Sequence, residues 1–153
     1  MQKNNYKLSY RLILGISLCL AIIPAIVLGI LILKYSINVP IQDQWQISAI
    51  FEKFSQRTLS FNDLIAQHNE SRKFFPRLIF LTLALITKWN IRYEMLVTFL
   101  LACIVSVNIY LLNRLTISGS HIKSITIALI SNIFIFSAVQ YENWLWGIQI
   151  VVF

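Results

Sequence analysis

Long apolar runs separated by short polar segments dominate this chain. The first run, Leu12–Leu33, contains 22 residues and no charge. An α-helix needs about 20 residues to cross roughly 30 Å of hydrocarbon. Two more such runs extend from Met95 to Asn113 and from Ser124 to about Tyr141. The pattern predicts an all-α integral membrane protein, a single membrane domain over residues 1–153, with spans at about 12–33, 95–113 and 124–141.

The loop between the first two predicted spans, residues 35–94, carries most of the polar side chains. From Gln44 to about Gln56 the apolar residues recur at helical spacing, which predicts an amphipathic helix that lies on the membrane. Ser60 followed three residues later by Asp63 is a weak capping box. It predicts a second short juxtamembrane helix that ends at about His68.

A short apolar segment later in this loop decides the number of spans. Leu78–Thr87 has only ten uncharged residues between Arg77 and Lys88. Ten residues rise about 15 Å, half of the hydrocarbon thickness. A longer helix would place Arg77 inside the bilayer, where a central charge costs about 3 kcal/mol or more. We therefore expect a re-entrant or interfacial helix at 76–88 and three spans, with a fourth span as the alternative.

Charge separates the two topologies. With three spans, residues 1–11 and 113–123 share one side with five Lys or Arg and no acid, and all six acids lie on the other side. The positive-inside rule then places the N-terminus in the cytoplasm and the chain in the cell (inner) membrane. A fourth span would move Arg114 and Lys123 outward and Glu142 inward, against that rule.

The composition agrees with a membrane protein. Hydrophobic residues make up 58% of the chain and the mean hydropathy is +0.71. Charged residues make up 12%, against about 25% in soluble domains. The net charge of +7 comes from basic residues at the ends of apolar runs, which suits anionic headgroups and not nucleic acid. Cys19 and Cys103 lie inside apolar runs, which argues against a disulfide or a metal site.

Two features point to further helices as partners, beside the lipid bilayer. Small residues recur every fourth position in the first span, which predicts a smooth face for another membrane helix; they are Ser17, Ala21, Ala25 and Gly29. The chain also stops in Ile-Gln-Ile-Val-Val-Phe153, a largely apolar segment without a closing basic residue. We expect it to be an incomplete N-terminal module in which another span starts there.

Candidate binding residues cluster before the short apolar helix; they are His68, Glu70, Arg72, Lys73 and Arg77. Pro76 suits the first position of a helix, because its missing N–H would be unpaired there in any case. Arg77 in that first turn faces the positive end of the helix dipole and lacks an obvious negative partner. A bound phosphate would resolve the conflict. Pairing with lipid phosphates or with Glu70 is the simpler alternative.

Two acids are candidate catalytic groups. Asp43 follows the first span and stands beside Trp45, and Glu142 follows the third span close to Trp144 and Trp146. Partial desolvation near a membrane interface makes a carboxylate more basic, which suits a general base. On the three-span topology the two acids share one face of the membrane.

Together these residues resemble the start of the GT-C superfamily, multispanning glycosyltransferases that use polyprenyl-phosphate sugars at the extracytoplasmic face. The shared features are a first span, an outer loop with an early acid, juxtamembrane helices and a basic-Pro-apolar helix entry. The stretches Gln-His-Asn-Glu70 with Phe-Phe-Pro-Arg77, and Tyr-Glu-Asn-Trp-Leu-Trp-Gly147, are similar to segments of bacterial members of that group.

The resemblance implies roles for these positions. Asp43 would deprotonate the acceptor hydroxyl or help to hold a divalent metal ion, and Glu142 takes the place of the second outer-loop acid. Arg72, Lys73 and Arg77 would bind the lipid phosphate. At position 71 this chain has Ser where the closest sequences are expected to have His. The alternative hypothesis is a small non-enzymatic four-span protein, such as a lipid-sugar flippase subunit or an assembly factor.

Overall fold

The computed structural model describes residues 2–68, 71–72, 74–117 and 121–147. Within them, three helical stretches are long and apolar enough to cross a membrane, Tyr10–Tyr35, Arg92–Thr116 and His121–Trp144, of which the last includes a 3₁₀ turn at Ala138–Gln140. The prediction of an all-α membrane protein with three transmembrane helices is thereby confirmed. The helices are longer than the apolar runs, because backbone hydrogen bonding continues beyond the last residue that needs hydrocarbon around it.

The described elements follow one another with short connections. In chain order they are α1 (Gln2–Tyr35), a 3₁₀ turn (Gln42–Gln44), α2 (Trp45–Ser55), α3 (Phe61–Ile65), β1 (Gln67–His68), β2 (Ser71–Arg72), α4 (Phe74–Thr87), α5 (Arg92–Thr116), α6 (His121–Ile135), a second 3₁₀ turn (Ala138–Gln140) and α7 (Tyr141–Trp144). They form two compact units. The first comprises Met1–Lys34 and Leu100–Tyr141, and the second comprises Tyr35–Phe99 and Glu142–Phe153.

The first unit is a bundle of apolar helices in which α1 contributes one packed face. Ala21, Leu28 and Ile32 are buried, and Ser17 and Gly29 are half-buried. The spacing from Ser17 through Ala21 to Leu28 is close to a heptad seam. The packed face therefore overlaps the predicted stripe of small residues, but it takes in Leu28 and Ile32, which the fourfold spacing leaves out.

A buried amide joins three helices of this unit. Asn132 of α6 is 7% exposed. Its Nδ2 donates to the carbonyl oxygen of Ala21 at 2.7 Å, and its Oδ1 accepts a hydrogen bond from Ser106 Oγ at 2.6 Å. A polar side chain inside a membrane bundle needs partners of this kind, because lipid offers none. Asn132 thus connects α6 to both α1 and α5.

The second unit is built from the short helices of the first loop. At 14 residues, α4 rises about 21 Å, too little for a span. Its buried residues are Phe80, Leu81 and Ala84. The helix begins at Phe74 and not at Pro76, but Pro76 still lies in the first turn, where a missing N–H leaves no hydrogen bond unmade.

The helix α3 begins as predicted and ends earlier. The side chain of Ser60 accepts a hydrogen bond from the Asp63 N–H, and the Asp63 carboxylate accepts one from the Ser60 N–H, which completes a capping box. The helix ends at Ile65, three residues before the predicted end at His68. The reason is that Ala66 adopts an extended backbone and the next two residues pair antiparallel with Ser71–Arg72.

The connection from α4 to α5 is a tight turn with two strained residues. Lys88 and Trp89 both have positive φ, 55° and 57°, a conformation that costs non-glycine residues roughly 1–2 kcal/mol each. The Trp89 N–H donates to the Ala84 carbonyl oxygen at 2.9 Å. The Trp89 ring stacks on Phe51 and meets Trp45 edge-on, with centroids 6.4 and 6.3 Å apart. These ring contacts offset the strain.

Candidate functional site

The turn that carries Asp43 is fixed by its neighbour Gln44. Gln44 is 1% exposed. Its Oε1 accepts a hydrogen bond from the Ile41 N–H at 2.9 Å, and its Nε2 donates to Glu94 Oε2 at 3.0 Å. The amide therefore closes the turn on itself and ties it to the start of α5. The backbone of Asp43 lies within this turn, and its side chain lies outside the described part of the structure.

Glu94 is the buried acid of this region. It lies in the first turn of α5 and is 1% exposed. A carboxylate in the first turn of a helix interacts favourably with the helix dipole. Among the described residues no cation lies within ion-pair distance of it. A buried acid whose main hydrogen-bond partner is one amide is uncommon. Such acids often have a functional role or stabilise the fold.

A second connection joins the end of the first span to the start of the second. The Asn38 side chain accepts a hydrogen bond from the Ile91 N–H at 2.9 Å. Asn38 follows α1, and Ile91 precedes α5. With the Gln44–Glu94 bond, this contact places the chain after α1 and the chain before α5 side by side within the second unit.

The segment after the third span packs onto the same turn. Trp144 is 1% exposed, and the indole N–H of Trp146 donates to the Ile41 carbonyl oxygen at 3.3 Å. At Gly147 a Cβ atom would lie 2.5 Å from Glu94 Oε2 and 2.7 Å from Gln44 Nε2. A side chain at position 147 would clash with these atoms, so only glycine fits there. The turn with Asp43, the start of α5 and residues 144–147 thus form one polar junction.

Glu142 lies at the edge of this junction. It is the second residue of α7, it is exposed, and it precedes the buried Trp144 by two residues. The structure therefore brings the segment that carries Glu142 against the segment that carries Asp43. Whether the two carboxylates converge stays a prediction.

Four of the predicted binding residues are described in part or not at all. His68 and Arg72 lie in the paired strands β1 and β2, and their side chains lie outside the description. Glu70 and Lys73 lie outside the described residues. The antiparallel pairing of Gln67 with Arg72 nevertheless shows that β1 and β2 lie side by side before α4. A role of these residues in binding stays a prediction.

Arg77 has an internal partner. Its Nη1 donates to the carbonyl oxygens of Asp63, Leu64 and Ala66 at 3.1, 3.0 and 2.6 Å. These carbonyls lie at the C-terminal end of α3, which carries partial negative charge and leaves its last carbonyls unpaired. The electrostatic conflict at the start of α4 is thus relieved by the end of α3. Arg77 therefore does not need a phosphate as a partner for its Nη1 group.

A divalent metal ion finds no ready set of ligands in the described part of the chain, where no three His, Cys, Asp or Glu side chains cluster. The exposed Trp45 stands two residues after Asp43, with its ring braced against Trp89.

The junction residues Gln44, Glu94 and Gly147 were not among the sequence predictions. The position of Glu94 in the sequence did indicate a partner. An acid in the first turn of an apolar span costs free energy unless another group pairs with it. The role of Gln44 and Gly147 depends on contacts over 50 and more residues, which no local pattern reveals.

Comparison with known proteins gives no relative. No protein-family model, no curated protein and no solved structure matches this chain.

Proposed function

We propose that this membrane protein is the N-terminal module of a GT-C-type glycosyltransferase, which moves a sugar from a polyprenyl-phosphate donor to an acceptor at the extracytoplasmic face. The observation that supports the proposal is the junction of the Asp43 turn with Glu94 and residues 144–147. It holds an acid-bearing turn at the ends of three spans, beside the segment of Glu142. This is the arrangement that the resemblance leads us to expect.

In the proposed reaction, the acceptor hydroxyl oxygen forms a bond to the anomeric carbon of the donor sugar. The bond from that carbon to the phosphate oxygen breaks, and polyprenyl phosphate leaves with the bonding electron pair. Asp43 accepts the hydroxyl proton as general base. Glu142 is the second acid of the site. Gln44 fixes the turn, so that Asp43 is presented from a rigid support.

The donor phosphate is assigned to the segment 67–73, which precedes α4. Because Arg77 Nη1 is engaged with three carbonyl oxygens, Arg72 and Lys73 are the stronger candidates. His68 and Glu70, in the same stretch, are assigned to the polar part of the donor or the acceptor. The short helix α4 follows this segment and is too short to cross, so the segment and Asp43 belong to one loop on one face.

The orientation follows from charge. We place residues 1–11 and residues 113–123 in the cytoplasm, because the charged residues of both segments are all basic. The junction then faces the extracytoplasmic side of the inner membrane, where polyprenyl-linked sugars are presented to such enzymes. The four-span alternative finds no support in the 14 residues of α4.

The experiment measures donor binding and sugar transfer separately. Vesicles that contain the chain are labelled with a photoreactive polyprenyl-phosphate sugar, and transfer is assayed with the longest open reading frame that includes the chain. Asp43→Asn should keep labelling and reduce transfer at least a hundredfold, as expected for loss of a general base. Arg72→Ala should reduce labelling.

The matched control is Glu52→Gln. Glu52 is an exposed acid on α2 whose carboxylate accepts a hydrogen bond from Gln56 at 3.0 Å. This variant should change neither measurement. Labelling that excess unlabelled donor does not reduce would contradict the proposal, and so would full transfer by the Asp43→Asn variant.

A further inference from the structure

The second predicted span carries an amide on its outer surface. Asn108 lies in α5, which runs from Arg92 to Thr116, so its Cα is about 6 Å from the helix centre at Ile104. The hydrocarbon extends about 15 Å to either side of the bilayer centre. Asn108 therefore lies at hydrocarbon depth, where water is absent.

The environment of Asn108 contrasts with that of Asn132. Asn132 is buried, and both ends of its amide are hydrogen-bonded within the bundle. Asn108 is exposed, and its amide has no hydrogen-bond partner among the described residues. An amide without partners in an apolar medium costs several kcal/mol. Lipid chains cover apolar side chains well but cannot satisfy this group.

Asn108 lies at one end of a shallow, open groove along one face of α5. Leu100, Cys103, Ile104 and Val107 line the groove with it, and its volume is about 410 Å³. The positions follow the spacing i, i+3, i+4, i+7 and i+8, which is one face of a helix. Leu100, Ile104 and Val107 are each more than half exposed. A second helix can place its side chains between them.

We propose that a second copy of the chain covers this face, with the two Asn108 amides hydrogen-bonded to each other. Two copies inserted in the same orientation carry Asn108 at the same depth. A side-chain amide is both donor and acceptor, so it is its own complement across a twofold axis. Lipid and water do not offer this pairing at that depth. The proposal does not depend on the glycosyltransferase assignment.

Crosslinking through the native cysteines shows which helix face lies between two chains. Cys103 lines the groove and is half-buried, whereas Cys19 is exposed on α1. With Cys19→Ala, iodine, an oxidant that dissolves in the hydrocarbon, should join two chains through a Cys103–Cys103 disulfide. With Cys103→Ala, crosslinking through Cys19 should be at least tenfold weaker. Asn108→Leu should weaken self-association in lipid vesicles about threefold to thirtyfold, and Asn108→Gln should retain it.

Association is measured by energy transfer between labelled chains as they are diluted with lipid. A dimer that crosslinks through Cys103 and depends on the amide at position 108 supports the proposal. The proposal is overturned by monomers at every dilution, by crosslinking mainly through Cys19, or by an Asn108→Leu variant that associates as well as the natural chain. Crosslinking of Cys103 to a different protein in cell membranes would also overturn it.

Discussion

The side chains of Gln44 and Glu94 are hydrogen-bonded at 3.0 Å, and each is 1% exposed. Fifty residues separate them in the chain, and between them lie all the short helices of the first loop. The bond therefore closes this loop onto the start of α5. It also sets the position of the turn that carries Asp43, which makes it the natural first target for mutation.

Removing the Glu94 carboxylate should destabilise this junction. Glu94→Ala leaves the Gln44 Nε2 group buried without its acceptor, which costs about 1–3 kcal/mol. Glu94→Gln keeps an acceptor oxygen at nearly the same place and should stay within about 1 kcal/mol of the natural chain. Thermal unfolding in detergent, followed by the fluorescence of the junction tryptophans, measures the difference. Equal stability of the two variants would show that the bond contributes little.

Gly147 should not tolerate a side chain. In Gly147→Ala the added Cβ would lie 2.5 Å from Glu94 Oε2 and 2.9 Å from Glu94 Cβ, so the junction must shift. Such overpacking costs about 1–3 kcal/mol. Gly15→Ala is the control, because nothing lies within 4 Å of its added Cβ. That change should stabilise α1 slightly, since alanine favours a helix by up to about 1 kcal/mol over glycine.

The sequence predicted the helices of this chain better than the contacts between distant segments. The three spans were predictable because a run such as Leu12–Leu33 must be a helix if it is in lipid. The short length of α4 was predictable from the ten uncharged residues between Arg77 and Lys88, although the helix begins three residues before Arg77. The capping box at Ser60 was predictable because it depends on residues three apart.

The contacts that join distant segments were not predictable. The partner of Arg77 was expected to be a phosphate or an acid, but it is the end of α3, because the short helix stops early and turns its carbonyls toward the guanidinium. The sequence predicted Gln44 only as the polar start of an amphipathic helix. Only the folded chain shows that it is buried against Glu94.

The Asn132 amide should hold the three-helix bundle together. Asn132→Leu removes the hydrogen bonds to the Ala21 carbonyl and the Ser106 hydroxyl, and interhelical bonds of this kind contribute about 0.6–2 kcal/mol. Ser106→Ala removes only one of them and should cost less. Combining the two changes should cost less than the sum of their separate effects, because they share one bond. Additive costs, measured by unfolding in mixed micelles, would show that the bond does not form.

Acid should loosen the start of α3. Lys53 chiefly, with help from Ser60, holds the pKa of the Asp63 carboxyl well below its ordinary value. A depressed folded-state pKa means that this stabilisation is complete above the unfolded-state pKa, about 3.9, and is lost as the pH falls through the folded-state value. Amide exchange at residues 60–65, corrected for its intrinsic pH dependence, should therefore accelerate below about pH 4. In Asp63→Asn this acid sensitivity should vanish.

Arg77 and Arg72 should differ in what their loss removes. Arg77→Ala deletes a charged donor to three carbonyl oxygens, so the end of α3 should open with a loss of about 1.5–3 kcal/mol. Donor labelling should fall only as far as the fold is disturbed, and Arg77→Lys should restore part of both, because lysine keeps a donor but not the planar fork. Arg72→Ala should leave amide exchange in α3 unchanged and weaken donor labelling. Suppose that Arg77→Ala reduced donor labelling while amide exchange in α3 stayed as in the natural chain. Arg77 would then be a phosphate ligand and not a structural cap of α3.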